Sequence, residues 1–220
     1  MFIKRYLILE LVGLSLIAVL SSCNSPYYKA MESVGIFKRD ILVDRVKEGK
    51  DAQEDAKEQF KATLERFTEL TQFDGGDLEK VYKKLSKELE RSESRAADVS
   101  KNIHDIEDVS KELFAEWKKE LKEYENQEFK AHSAAQLKET QARYKDLIEA
   151  MKKAEASIQP VLKTFQDQVL FLKHNLNAKA IASLDQQVVS LRSDIELLIQ
   201  DMESSIDEAD AFITMMNAEE

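Results

Sequence analysis

A single cysteine, Cys23, in a chain of 220 residues leaves no pair for an internal disulfide, so stability has to come from packing. Turn-forming residues are almost as scarce. Beyond Cys23 there are only Gly35, Gly49, Gly75, Gly76, Pro26 and Pro160, and so few punctuators imply few turns and long elements. Basic excess is missing too: 32 Lys and Arg stand against 42 Asp and Glu, a formal charge of −10. Nucleic-acid phosphates reward clustered Lys and Arg, so no nucleic-acid partner is expected. A body of this charge also disfavours lying flat on anionic lipid, and its plain consequence is solubility. No apolar run reaches the roughly 20 residues that a membrane-spanning helix needs.

Recognisable chemistry is also lacking. Gly75-Gly76-Asp77-Leu78-Glu79-Lys80 has neither the Walker spacing nor its Ser or Thr, so it is no phosphate loop. No Ser, His and Asp set forms a triad. His104 and Asp108 share a helix face at i, i+4, which is half a metal site without a third ligand at a diagnostic spacing. His132 and His174 lie near expected helix ends, where a histidine satisfies terminal carbonyls. The carboxylates of Glu116 to Glu123 alternate with lysines as on a solvated face. No enzyme activity, cofactor or metal is therefore expected.

What is present begins at the N-terminus. Lys4 and Arg5 precede an apolar run from Tyr6 to Leu20, interrupted by Glu10, and small residues follow. These are the parts of an export signal. Leu20-Ser21-Ser22-Cys23 resembles the lipobox of bacterial lipoproteins. The resemblance implies cleavage between Ser22 and Cys23, a diacylated Cys23 thiol and a new amine acylated by a fatty acid such as palmitate. Two or three chains, at about 0.8 kcal/mol per buried methylene, hold a protein durably on a membrane. Asn24 stands where many such lipoproteins carry an aspartate that retains them at the inner membrane. The resemblance therefore implies the outer membrane, facing the periplasm. Residues 1–22 are then the signal peptide and 23–220 a single helical domain. Setting aside Lys4, Arg5 and Glu10 leaves 30 basic and 41 acidic side chains, a formal −11.

The domain is written in steps of three and four. Leu78, Tyr82, Leu85, Leu89, Ser92, Ala96, Val99, Ile103, Ile106, Ser110, Leu113 and Trp117 trace the stripe of a helix in left-handed coiled-coil packing. Ala56, Phe60, Thr63, Phe67 and Leu70 keep the same rhythm upstream. Leu137 through Ile158 to Leu176, and Leu184 to Met202, keep it downstream. Adjacent apolar pairs (Ile41/Leu42, Leu113/Phe114, Leu147/Ile148, Val161/Leu162, Leu197/Leu198) widen the stripe, as a helix with two neighbours requires. Breaks are expected at Asp74-Gly75-Gly76-Asp77, between Asn126 and Ser133 with a Ser133-Gln136 capping box, and near His174-Asn175-Leu176-Asn177. Ser25 as N-cap and Pro26 as first residue open the first helix.

The expectation is an all-α, elongated, antiparallel up-down-up-down four-helix bundle with helices at about 26–73, 78–127, 134–175 and 178–217. A pair of hairpins completing its core as a homo-oligomer is the alternative. Gly49, with Ala52, Gln53 and Ala56, puts small or polar residues where the first helix wants large apolar ones, and Pro160 should kink the third near Ala156. Gly49, Gly75, Gly76 and Pro160 are thus the candidate hinges.

Three stretches also resemble an uncharacterised family of bacterial lipoproteins with a domain of unknown function: Tyr27-Tyr28-Lys29-Ala30-Met31-Glu32 through Val34 to Asp40, Phe171 to Ala178, and Asp201-Met202-Glu203. That resemblance implies no activity. The function expected is a non-enzymatic, membrane-anchored envelope lipoprotein acting as scaffold, spacer or adaptor for another envelope protein. The alternative is a periplasmic carrier or chaperone that opens to hold an apolar ligand or unfolded client.

Overall fold

In the computed structural model, which describes residues 24–71, 78–175 and 178–218, the stripes become five helices. They are α1 (Asn24–Ser33), α2 (Lys38–Thr71), α3 (Leu78–Glu120), α4 (Gln127–His174) and α5 (Ala178–Ala218). No strand occurs among the described residues. The protein is all-α, and its longest helix, α4 with 48 residues, extends about 72 Å at 1.5 Å per residue.

The three-and-four pattern becomes the core. Every position of the α3 stripe from Leu78 to Trp117 is buried or half-buried. Ala56, Phe60, Thr63 and Phe67 of α2 are buried with it, as are Ile158, Leu162 and Phe165 of α4 and Leu191, Ile195 and Leu198 of α5. Helix α2 packs on α3 and α5, and α4 packs on the same two. Each long helix therefore needs an apolar surface wider than one seam, which four of the adjacent pairs supply. The fifth does not: Leu198 is buried but Leu197 faces solvent. Edge-to-face ring pairs, Phe67 with Phe165 at 5.7 Å and Phe114 with Tyr144 at 5.4 Å, tie α4 to α2 and α3.

Beyond the end of α3, which is expected at 127 but falls at Glu120, two boundaries differ from expectation. The first helix, expected unbroken over 26–73, is two helices, because Val34-Gly35-Ile36 forms a Schellman ending. Gly35 takes φ +85°, its N–H donates to Glu32 O at 3.0 Å, and the Ile36 N–H donates to Met31 O at 3.0 Å. The next helix starts with the Phe37 N–H donating to the Asp40 carboxylate at 3.1 Å, half of a capping box. The second difference is at the start of α4, expected at 134 but found at Gln127. Asn126, with extended backbone, accepts from the Glu128 and Phe129 N–H groups at 2.9 and 3.2 Å. Ser133, read as the cap, is instead a buried member of the α4 stripe whose Oγ accepts from Trp117 Nε1 at 2.8 Å.

Candidate functional site

The most distinctive cluster joins the N-terminal helix to the bundle. Within α1, ahead of the turn that ends it, Tyr28 is buried within electrostatic reach of Arg45 on α2 and of Asp108 and Glu112 on α3. Lys38, the first residue of α2, is 6% exposed, and its Nζ donates to Glu32 of α1 and to Glu116 Oε1 of α3, the latter at 2.9 Å. The same ammonium lies 5.9 Å from the Tyr28 ring centroid. Burial alone would lower the Lys38 pKa, but the hydrogen bonds to Glu32 and Glu116 outweigh it and hold the ammonium above its ordinary value. Tyr28 is raised, first by burial and then by Asp108. Beside it the Arg39 guanidinium donates to the Met216 carbonyl of α5. The Lys38 contacts clasp α1 onto α2 and α3, and the Arg39 bond ties the start of α2 to α5.

A cleft of about 360 Å³ runs beside the clasp, lined by Lys29, Lys38, Glu112, Glu116, Lys119 and Glu120 among others. Burial, followed by the charges of Glu116 and Glu123, raises the Glu120 carboxyl above its ordinary pKa.

A second cluster lies in the core. Thr63 and Ser92 form a matched hydroxyl pair at 3.1 Å, with Thr63 Oγ1 donating to the Gln59 carbonyl. Gln53, Gln168 and Ser205 are buried with no partner for their side-chain polar atoms. Gln53 sits on α2 between Lys50, which pairs with Asp210 at 2.8 Å, and Lys57, which lies 3.9 Å from Glu203. Ser205, between those two acids on α5, is therefore at the same level of the bundle.

The residues singled out from sequence do not converge on one site. Ser22, Cys23, Gly75 and Gly76 lie outside the described residues. Gly49 is buried in mid-helix, where a Cβ would meet Ile106 Cδ1 at 2.8 Å and Met151 Cε at 3.3 Å. It permits close approach of α2 to α3 and α4. Pro160 lies on the exposed face of α4, and the helix continues through it, so the carbonyl it leaves without a backbone donor is on the solvent side. His104 Nε2 is 3.7 Å from Asp108 on an exposed face, and no group of three or more metal-ligating side chains occurs among the described residues. Nor is any helix there long and apolar enough to cross a membrane. Sequence reading missed the Lys38 clasp, although Val34-Gly35-Ile36 was the signal that α1 folds back.

Comparison with known families covers most of the chain: the model of DUF2959, a protein of unknown function, matches residues 27–216. The chain belongs to the DUF2959 family. The DUF2959 region opens at Tyr27 and closes at Met216, so it takes in both the clasp helix and the α5 carbonyl that receives Arg39. No curated protein and no solved structure matches the chain.

Proposed function

We propose that this DUF2959 protein is a non-enzymatic bacterial envelope lipoprotein, anchored through acyl chains on Cys23 to the outer membrane and facing the periplasm. There its body serves as scaffold, spacer or adaptor for another envelope protein. The body is an up-down-up-down four-helix bundle of α2 to α5. Cross-helix pairs support that topology: Lys38 with Glu116, Asp55 with Arg95, Lys50 with Asp210, Glu107 with Lys152 and Glu93 with Gln166. Between α2 and α3 and between α3 and α4 the partner number falls as the first number rises, and Lys57 with Glu203 extends this to α2 and α5. The observation that carries the role is the clasp, which couples the segment next to Cys23 to α2 and α3, and through the first turn of α2 to α5, in a rod about 65–70 Å long.

Cys23→Ser should give an uncleaved precursor that takes up no labelled fatty acid; unchanged mobility and membrane fraction would defeat the anchor. Solution scattering should give a maximum dimension near 80 Å for a monomer, and one well above about 120 Å would replace the bundle by a long tether. In-cell crosslinking should recover an envelope partner, and a protein found solitary would count against the adaptor role. The carrier reading rests on a different observation, the unpartnered Gln53, Gln168 and Ser205 in the core, which lower the cost of opening.

A further inference from the structure

We propose that the clasp is also a membrane-contact face: Tyr27, Val34, Ile36 and Phe37 rest in the interfacial zone of the phospholipid bilayer that carries the acyl chains of Cys23. This inference builds on the anchor reading above and adds how the bundle is held against its membrane.

Ten large hydrophobic side chains are exposed among the described residues, and four of them fall between Tyr27 and Phe37. Tyr27 is 45% exposed, Val34 70%, Ile36 39% and Phe37 60%. Such density is not needed for folding, since the inward residues of this segment, Tyr28 and half-buried Met31, already pack it on the core. Helix α1 has 10 residues, so the turn lies about 15 Å from the helix start adjoining Cys23. A bilayer holding the Cys23 chains is therefore within reach of the whole segment. The charge also fits. Residues 24–37 carry Lys29 and Glu32 alone, a neutral segment on a chain of formal charge −10, while Lys38 and Arg39 just beyond it are engaged by Glu32, Glu116 and the Met216 carbonyl. By contrast, the stretch 122–130 around the exposed Tyr124 and Phe129 near the α3–α4 turn sets Glu123, Glu125 and Glu128 against Lys122 and Lys130, an acidic excess that an anionic surface disfavours.

Helices and turns of this kind bury their apolar side chains about 5–10 Å into the headgroup boundary, with tyrosine rings favoured at that level. The clasp makes the contact mechanical. With Lys38 bound to both Glu32 and Glu116, and the Phe37 N–H held by Asp40, an immersed turn fixes the tilt of the bundle.

The test places a tryptophan at Phe37 in the full chain and a control at exposed Leu197 on α5, each read over the single native Trp117. Protein is tethered through Cys23 to vesicles of phosphatidylethanolamine and phosphatidylglycerol with brominated acyl chains. Its own acyl chains serve where mass spectrometry finds them, and otherwise the thiol is coupled to a maleimide lipid. A missing acyl chain then counts against the anchor reading alone. Phe37→Trp should emit at shorter wavelength and be quenched at least about twofold more than Leu197→Trp, as interfacial depth requires. Equal quenching of the two would overturn the contact. So would a blue shift of Phe37→Trp that grows with protein concentration without vesicles, which would assign the patch to a second copy of the chain.

Discussion

Replacing Gln53 by leucine should stabilise the protein, and the size of the gain follows from its surroundings. The side chain is fully buried on α2, and neither Nε2 nor Oε1 has a hydrogen-bond partner. A buried polar group left unsatisfied costs about 1–3 kcal/mol. Leucine has nearly the same volume and a helix propensity close to that of glutamine, so backbone preference contributes little to the difference. Gln53→Leu should therefore gain about 1–3 kcal/mol, with the low end expected if a buried water bridges Gln53 to its neighbours. Urea unfolding with an unchanged m-value reads this directly, and the melting temperature should rise by about 2–4 °C per kcal/mol for a chain of this size. Gln53→Glu is the opposing control, because an unpaired buried carboxylate costs much more than an amide. A leucine variant less stable than the wild type by over about 1 kcal/mol at the same m-value would show that the Gln53 amide is satisfied in solution, and the reasoning would fail.

Gly49→Leu should destabilise by about 3 kcal/mol or more, since even a Cβ already meets Ile106 Cδ1 at 2.8 Å. Gly49→Ala should change stability by only about 1 kcal/mol, because the contacted atoms are side-chain ends and alanine favours the helix; denaturant titration of the two variants checks the contrast. Lys38→Met should leave Glu32 and Glu116 facing each other without their shared cation, loosening α1 by about 1–3 kcal/mol. Hydrogen exchange should then rise across residues 24–33 while the α4 core stays protected, and unchanged exchange in α1 would refute the clasp. Burial alone would raise the Asp201 carboxyl, but Lys153 Nζ at 2.8 Å and Ser157 Oγ at 2.5 Å outweigh it and hold the pKa below its ordinary 3.8. Its contribution is thus complete above that value and lost as pH falls through the folded pKa. The stability gap between wild type and Asp201→Asn should therefore be widest at neutral pH and close in acid, and a gap that widens on acidification would reverse the assignment.

Periodicity carried most of the fold. The α3 stripe could be read residue by residue because each position with a large apolar side chain repeats every three or four residues and meets a neighbour. Breaks were harder, since a helix ends through backbone hydrogen bonds that composition only hints at. Gly35 was visible, but its positive φ and the Ile36-to-Met31 bond were not, so α1 was merged with α2. Ser133 fitted a capping box and a core stripe equally well, and Trp117 on another helix decides between them. The clasp was illegible for the same reason: Lys38 and Glu116 are 78 residues apart, and a lysine among many looks solvated until the fold buries it. Gln53 and Ser205 illustrate the opposite limit. Sequence marked the Gly49 to Ala56 stretch as unusual, but whether its amide is partnered depends on the facing helix.

The scaffold and carrier readings make opposite demands on that same polar level of the core. A spacer transmits position, so stabilising the contact between α2 and α5 leaves its work untouched or improves it. A carrier must part its helices, and unpartnered polar atoms reduce the cost of parting because exposure restores their hydrogen bonds to water. The two other unusual positions near that level lean toward rigidity. Gly49 is filled by Ile106 and Met151 rather than left loose, and the cross-helix pairs of Lys50 and Lys57 with α5 lie on either side of Gln53. The clasp acts in the same direction, since opening α2 away from α5 also strains the Arg39 bond to Met216. A mechanically coupled rod with one weakened level is therefore the arrangement to be explained. It supports the proposed spacer over a vessel whose wall must open, since the ion pairs on either side of the weak level and the filled contact at Gly49 hold the helices together there.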